Sequence, residues 1–263
     1  MDLIKLPAII SISGSTGSGK SYLTRKLLNK ELKGQFDFLF IFSPTMKLSM
    51  DWEDNGFPET KEQDKSYPKI TYIEENFEDE ARQIFEKQKK LKLELNKSIK
   101  DAFKLNNRLD NRLDNRLDKH LNLNLNSNNN HNSQIIGNMP RVLLIFDDLG
   151  GNNSLFKFKG FLDTVCISSR HYNVSMLIIV QRITAIPRTL RLNSSYFIVF
   201  NSFNYSEIER FLSEYVQRKH KSLLYKKLED IFNNDYNFIF ANNKSNKLNE
   251  RLYKNGSELI DLN

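Results

Sequence analysis

The sequence predicts a three-layer α/β fold, in which helices cover both faces of a mainly parallel central sheet. Short apolar runs of strand length alternate along the chain with segments of helical periodicity. A glycine-rich loop joins one such strand to a helix, and a later apolar run ends in two aspartates. Alternating strands and helices form parallel sheets with right-handed crossovers. Ligands bind at the carboxyl edge of such sheets, so we expect the loop and the aspartates to meet there.

Composition narrows the class of protein. The chain has 263 residues, of which 39% are hydrophobic and 27% charged, and this content is sufficient for a full core. Its formal net charge of +7 weakly favours a polyanionic partner. The single cysteine, Cys166, excludes an internal disulfide and fits a reducing compartment. No apolar run approaches the ~20 residues that span a bilayer, and the first strand begins too early for a signal peptide. The sequence therefore predicts a soluble intracellular protein without a membrane segment.

The glycine-rich loop has the Walker A spacing Gly-x-x-x-x-Gly-Lys-Ser: Gly14-Ser15-Thr16-Gly17-Ser18-Gly19-Lys20-Ser21. It lies between a predicted strand, 8–13, and a predicted helix, 21–33, which has Leu23, Leu27, Leu28 and Leu32 on one side. Glycines let successive backbone N–H groups face phosphate oxygens, and the start of the helix favours the anion. We expect the loop to bind the triphosphate of ATP, Lys20 to reach its β- and γ-phosphates, and Ser21 to hold Mg²⁺. The chain is therefore predicted to be a P-loop NTPase.

The second part of the predicted site is an apolar run that ends in acidic residues, the Walker B pattern Arg141-Val142-Leu143-Leu144-Ile145-Phe146-Asp147-Asp148. A strand without polar residues is typical of a parallel sheet that is buried on both faces. Such a strand delivers the residues after it to the carboxyl edge of the sheet. Asp147 is predicted to hold the hydration shell of Mg²⁺, and Asp148 to polarise the attacking water.

Polar and cationic residues complete the predicted catalytic set. The strand 176–180 ends in Gln181, which is placed to contact a γ-phosphate or to orient water. Phosphoryl transfer also needs a cation for the charge that develops in the transition state. A neighbouring subunit can supply that group, which predicts a ring. Arg170 is the first candidate, and Arg188 or Arg191 the second. Each of the three can equally be a surface arginine or a phosphate contact.

The remaining segments predict one domain over residues 1–263, interrupted by a low-complexity insertion at about 96–137. Within it, Asn-Arg-Leu-Asp occurs three times in residues 107–118, and a stretch rich in Asn and Leu follows. This segment lacks the apolar content to offset the entropy of ordering, so it is predicted to be disordered or weakly helical. Trp52 and Phe57 are predicted to pin a polar stretch, 45–69, to the domain. Further strands are expected at 36–43, 70–73, 196–200 and 236–241, and helices at 78–104, 161–169, 186–193 and 221–232. In the helix 78–104, Ala81, Ile84, Phe85, Leu91 and Leu95 are spaced for one face. Ser206 and Glu209 are predicted to form a capping box for another helix.

Several of these segments resemble the motifs of poxvirus-type DNA-packaging ATPases, the viral branch of the FtsK–HerA superfamily. They are Phe40–Thr45, Asp147-Asp148-Leu149, Ser169–Ser175, Gln181 and Ile186–Asn193. The resemblance covers most of residues 8–241 outside the insertion. It identifies Gln181 as the strand-end glutamine of the family, and it favours Arg170 as the arginine that acts on a neighbouring subunit. One departure is Asp148, where many relatives in the wider superfamily have the longer glutamate.

The resemblance also implies a function and partners. It implies a RecA/FtsK-like fold and a ring-shaped motor, expected to be hexameric, that uses ATP and Mg²⁺ to pump double-stranded DNA into a preformed capsid. Capsid or portal proteins would be its partners. The host cytoplasm, a viral factory or the virion would be its location, with no membrane involved.

Three alternative functions remain open from the sequence. The nearest is a cellular DNA translocase or helicase of the same superfamily, which differs in biology more than in chemistry. A P-loop kinase for a small molecule would need an arginine-bearing lid and an acceptor pocket, and no segment clearly supplies either. A non-catalytic assembly protein could use ATP as a structural ligand, but the intact Lys20, Asp147 and Asp148 argue against it.

Overall fold

One nine-stranded sheet organises the described residues of the computed structural model, which are 4–45, 68–113, 139–149, 154–157, 159–201, 204–216, 221–247 and 250–261. Its strands are β1 Ile9–Ser13, β2 Phe38–Phe42, β3 Lys69–Ile73, β4 Val142–Asp147, β5 Val174–Val180, β6 Tyr196–Phe200, β7 Phe238–Asn242, β8 Leu252–Lys254 and β9 Glu258–Leu259. They lie in the order β3-β2-β4-β5-β1-β6-β7-β8-β9.

The first six strands are parallel, and the last three add an antiparallel edge. In the parallel part, Ser13 of β1 is opposite Val180 of β5, and Asp147 of β4 is opposite Ile179 of β5. Strands β1, β4 and β5 therefore end at nearly the same height. This register confirms the predicted mainly parallel sheet, and it brings the segments after these strands to one edge.

Helices cover both faces of the sheet. They are α1 Lys20–Lys26, which continues as a π-helical turn at Leu27–Glu31, α2 Phe77–Leu113, α3 Phe161–Val165, α4 Arg188–Asn193, α5 Tyr205–Tyr215 and α6 Lys221–Phe232. Short 3₁₀ turns lie at Ser154–Phe156, Ser169–Tyr172 and Ile183–Ala185. None of the helices in the described ranges is long and apolar enough to cross a membrane.

The buried residues form two apolar clusters, one on each face of the sheet, which confirms the three layers. On one face, the predicted leucines of the first helix pack with Ile10 and Ile12 of β1. Ile9 belongs to the cluster on the opposite face, together with residues of α2, α3, α5 and α6. Successive strand residues point to opposite faces, so a strand covered on both sides has no exposed position. All five residues of β1 are accordingly buried.

Helix α2 departs from its predicted pattern. Ala81, Ile84 and Phe85 are buried as predicted, but Leu91 is exposed, so its predicted place on the buried face is wrong. Beyond Gln88, whose amide donates to the carbonyl of Pro140 at 2.9 Å, none of the described side chains of α2 is buried. The buried part of the contact between this helix and the rest of the fold therefore ends near Gln88, although the apolar periodicity continues. One turn later, the ammonium group of Lys92 still lies 5.2 Å from the centre of the Tyr172 ring.

The predicted insertion lies only partly within the described residues. Helix α2 includes positions 96–113, so its backbone continues into the repeats. Positions 114–137 lie outside the described residues, as do Trp52 and Phe57. The disorder of the insertion and the packing of the two aromatic residues therefore stay predictions.

The start of helix α5 corrects the predicted capping box. Its N-cap is Asn204, whose side-chain oxygen accepts hydrogen bonds from the backbone N–H of Ser206 at 3.0 Å and from the Ser206 hydroxyl at 2.7 Å. Asparagine caps a helix at least as well as serine does. The helix therefore starts one residue after Asn204, and Ser206 lies inside its first turn.

The environment of Cys166 generates a test of the fold. Its side chain is buried, and burial raises the pKa of the thiol to about 11. At pH 8 only about one thiol in a thousand would then be the reactive thiolate. We expect Ellman's reagent to modify the folded protein at least about 100-fold more slowly than the protein unfolded in guanidinium chloride. Because the chain has a single cysteine, the absorbance reports this site alone. Equal rates in the two states would contradict the buried position of Cys166.

Candidate active site

The phosphate loop begins where β1 ends. The N–H of Gly14 donates to the carbonyl of Val180 at 3.3 Å, which ties the loop to the end of β5. A Cβ atom at Gly14 would lie 2.6 Å from the Cβ of Phe200, so no side chain fits there. Gly19 has a φ of 98°, in the left-handed region, and is followed at once by helix α1. The glycines thus allow a tight loop that packs on β6 and ends at the start of a helix.

Lys20 faces the inside of the loop. Its ammonium group donates to the carbonyl oxygens of Gly14 at 2.8 Å and Ser15 at 2.7 Å. Partial burial lowers the pKa of Lys20, while the nearby carboxylates of Asp148 and Asp147 act in the opposite direction. The predicted lysine and the two predicted aspartates, which are far apart in the sequence, therefore lie within electrostatic range of one another.

A buried hydroxyl inside the loop fits a phosphate group. The Oγ of Ser18 is buried and has no hydrogen-bond partner among the described residues. It lies 2.7 Å from where a Cβ of Gly14 would be. Buried hydroxyls without a partner are rare in proteins because desolvation is costly. A phosphate oxygen would accept from this hydroxyl, from the loop N–H groups and from Lys20, so the donor set fits the triphosphate of a nucleotide.

Asp148 and Gln181 form a pair at the carboxyl edge. Asp148 has a φ of 52° and its N–H donates to the carbonyl of Ile179 at 3.1 Å, so the chain turns sharply towards β5 after Asp147. The Gln181 amide nitrogen then lies 2.9 Å and 3.2 Å from the two carboxylate oxygens of Asp148. The amide donates to the carboxylate and fixes its orientation. The structure thus brings the predicted glutamine and the second Walker B aspartate into direct contact.

Ser21 and Asp147 are the residues suited to a metal. Both side chains are half-buried, Ser21 in the first turn of α1 and Asp147 at the end of β4. Mg²⁺ prefers hard oxygen ligands, and it usually combines one or two protein oxygens with phosphate oxygens and water. A hydroxyl and a carboxylate beside a phosphate loop match this donor set.

The three candidate arginines occupy very different places. Arg170 is exposed in the 3₁₀ turn before β5, and it lines a small cavity with Ala8, Ile9 and Ser195, where β1 and β6 begin. It therefore lies at the amino edge of the sheet. The phosphate loop lies at the opposite edge, across the length of β1, which is roughly 15 Å for a five-residue strand. Arg188 is exposed at the start of α4.

Arg191 is buried and fully engaged, which removes it from the candidates. Its guanidinium donates to both carboxylate oxygens of Glu214 at 2.7 Å, and it also contacts the carbonyl of Ile186. Only 7% of its side chain and 8% of that of Glu214 are exposed. A guanidinium in this position joins α4 to α5 and cannot reach a neighbouring subunit. The prediction that Arg191 could act on a neighbouring subunit is therefore wrong. The sequence pattern does not reveal the ion pair, because Glu214 is distant in the sequence.

Two residues beside the site are not indicated by the sequence pattern. Arg182 follows Gln181 and contacts the buried carboxylate of Glu207 at 3.4 Å. Tyr236 is predicted in a strand, but β7 begins two residues later and Tyr236 lies in the preceding turn, with a φ of 64°. It lines a cavity next to the phosphate loop. The run Asn233-Asn234-Asp235 before it consists of turn-forming residues, and it is the sequence feature that could have predicted this turn.

The fold, the phosphate loop and the aspartates at the sheet edge define a P-loop NTPase. A family model described as "Poxvirus A32 protein" matches residues 100–242, more than half of the chain, and the chain belongs to this family. The resemblance to poxvirus-type packaging ATPases is thereby confirmed. The matched range contains the Walker B strand and Gln181 but not the glycine-rich loop at residues 14–21. No curated protein matches the sequence.

Solved structures share the fold at low sequence identity. The DNA-packaging ATPase B204 from Sulfolobus turreted icosahedral virus has a TM-score of 0.55 and 13% identity, over 94% of this chain and 96% of that one. The genome packaging NTPase B204 from Sulfolobus turreted icosahedral virus 2, in complex with sulfate, has a TM-score of 0.54 and 15% identity, over 98% and 100%. The pCW3 conjugation coupling protein TcpA, with ATPγS, has a TM-score of 0.53 and 16% identity, over 90% and 58%.

Replacing Arg191 tests its structural role. We expect Arg191→Met to lower the free energy of unfolding by about 3–5 kcal/mol, because the Glu214 carboxylate would be left buried and unpaired. Arg188→Met, on the same short helix but exposed, is the matched control and should change stability by less than about 0.5 kcal/mol. Urea denaturation followed by circular dichroism measures both values. Similar effects of the two substitutions would argue against the buried ion pair.

Proposed function

We propose that this protein is an ATP-driven translocase that packages double-stranded viral DNA into a preformed capsid. It would hydrolyse ATP with Mg²⁺ at the subunit interfaces of a ring. The observation that carries the hydrolytic part is the contact between Gln181 and Asp148 at the edge that also holds Lys20. Membership of the poxvirus A32 family supports DNA packaging, as does the fold shared with the B204 packaging ATPases.

The residues of the site have separate tasks in this proposal. Lys20 would exchange the carbonyls of Gly14 and Ser15 for β- and γ-phosphate oxygens, and the loop N–H groups would hold the remaining charge. The Asp148 carboxylate would polarise the attacking water. Gln181, which donates to that carboxylate, would keep it oriented. Ser21 and Asp147 would hold Mg²⁺, which would supply positive charge against the phosphates.

The shorter side chain of Asp148 is compatible with this task. An aspartate reaches one methylene less far than the glutamate of many relatives. Here the left-handed backbone at Asp148 and the hydrogen bonds from Gln181 set the direction of the carboxylate. An oriented carboxylate loses less freedom in the transition state than a mobile one, which favours the aspartate as the water activator.

A ring explains the position of Arg170. This side chain lies at the amino edge of the sheet, so it is too far away to act on the nucleotide of its own subunit. Because it is exposed, it is available to the carboxyl edge of a neighbour. A head-to-tail arrangement that closes on itself would place one such arginine at every site. We therefore propose a homo-oligomeric ring, expected to be hexameric, that docks on a capsid or portal protein.

The proposed activity predicts DNA-stimulated ATP hydrolysis. We expect double-stranded DNA to raise phosphate release by the wild-type protein, and Lys20→Ala and Asp147→Ala to reduce it by about 100-fold or more. Lys30→Ala, an exposed lysine on the π-helical turn after α1, is the matched control and should retain turnover. A wild-type protein that ignores DNA but phosphorylates an added nucleoside or nucleotide would be a kinase. Equal background turnover by wild type and Lys20→Ala would indicate a non-catalytic assembly protein.

Mixing two inactive variants tests whether Arg170 acts on a neighbour. Arg170→Ala alone should lose turnover by about 100-fold while it still binds ATP. Mixed with Lys20→Ala subunits at equal amounts, it should regain activity, because about a quarter of the interfaces would combine an intact loop with an intact arginine. Arg188→Ala serves as the comparison for the second candidate. Normal hydrolysis by Arg170→Ala, or no recovery on mixing, would refute the assignment.

A further inference from the structure

Tyr236 is an exposed aromatic ring that lies against the phosphate loop. It belongs to the turn between α6 and β7, and 69% of the residue is exposed. A Cβ atom on Gly19 would lie 3.1 Å from the Cδ1 atom of its ring, so the ring lies directly beside the residue that precedes α1. A tyrosine with a φ of 64° is uncommon, because the left-handed region is unfavourable for bulky residues. Core packing does not account for a ring that is exposed.

The turn that carries Tyr236 is held in place by its neighbours. The next residue, Asn237, donates from its amide to the carbonyl of Ile231 at 2.7 Å and accepts from the amide of Asn255 at 2.8 Å. Asn255 in turn accepts from the backbone N–H of Phe238 at 3.0 Å. The turn before β7 is thus tied both to the end of α6 and to the turn between β8 and β9. Tyr236 therefore lies on a fixed support, which is how a preformed binding surface is built.

Two cavities meet at Tyr236. One, of about 260 Å³, is lined by the phosphate loop, Asn201 and the turn 234–237. The other, of about 460 Å³, is lined by the start of α1, the same turn and the turn 255–257. Tyr22 of α1, which is 67% exposed, also faces the larger cavity. Pockets for small ligands commonly enclose about 300–1,000 Å³, so a nucleoside fits the larger one.

We propose that Tyr236 is the stacking platform for the base of a bound nucleoside triphosphate, in the larger cavity. The triphosphate would then pass Gly19 into the phosphate loop, and Tyr22 would border the base on the α1 side. Bases stack on aromatic rings because both present flat π faces. The exposed carboxylate of Asp235, beside the ring, is suited to accept from ribose hydroxyls. This inference rests on the proposed nucleotide site and adds a residue that distinguishes a nucleotide from a bare polyphosphate.

Binding measured without turnover tests the platform. Isothermal titration with ATPγS and with inorganic tripolyphosphate, both in Mg²⁺, would be performed on the wild type and on Tyr236→Ala. We expect Tyr236→Ala to weaken ATPγS binding by about tenfold or more, and to change tripolyphosphate binding by less than about twofold. Tyr236→Phe, which keeps the ring, should bind both ligands like the wild type. Tyr22→Ala should weaken ATPγS alone, to a smaller extent.

The controls separate a stacking role from a structural one. Tyr205→Ala removes another exposed tyrosine, one on α5 that stacks on Tyr225, and should leave both affinities unchanged. If Tyr236→Ala weakens both ligands equally, the ring supports the loop and not the base. Unchanged ATPγS binding would place the base elsewhere. If the wild type binds neither ligand, the proposed nucleotide site is refuted. If the wild type shows DNA-stimulated turnover and Tyr236→Ala binds ATPγS normally, only the role of Tyr236 is refuted.

Discussion

The parallel register of three strands is the constraint on which the site depends. Because Ser13 is opposite Val180 and Asp147 is opposite Ile179, strands β1, β4 and β5 end together. The carboxyl ends of these strands supply the phosphate loop, the aspartate pair and Gln181, respectively. A shift by one residue would turn every side chain of a strand to the other face and separate these groups. The apolar cores on both faces fix the register, so the packing energy of the sheet also positions these groups.

Local patterns are sufficient to predict most of the fold and the central part of the site. The loop, its flanking strand and helix, and the Walker B strand are each encoded within a few consecutive residues. The place of Gln181 is predictable from the length of one apolar run. The contact between Gln181 and Asp148 is not predictable from the sequence. It depends on the left-handed backbone of Asp148 after β4, which no residue type in this segment requires.

Long-range partners limit the prediction elsewhere. Arg191 resembles an exposed candidate in the sequence because Glu214, its partner, is 23 positions away. Leu91 fits the helical period, but the domain does not extend to cover it. Tyr236 is predicted in a strand because aromatic residues favour strands, yet the asparagines around it hold a turn. In each case the outcome depends on residues that are not neighbours in the sequence, so it is visible only in the three-dimensional structure.

The position of Arg170 gives the molecule a front and a back. The front edge of the sheet carries the phosphate loop, and the back edge carries the arginine. If the arginine acts on a neighbouring subunit, an open row of subunits always leaves one phosphate loop without an arginine. Only a closed ring gives every site its arginine, so ATP hydrolysis at every site would require ring closure. An open ring would lose ATP hydrolysis at the gap, and the hydrolysis rate would then report whether the ring is closed.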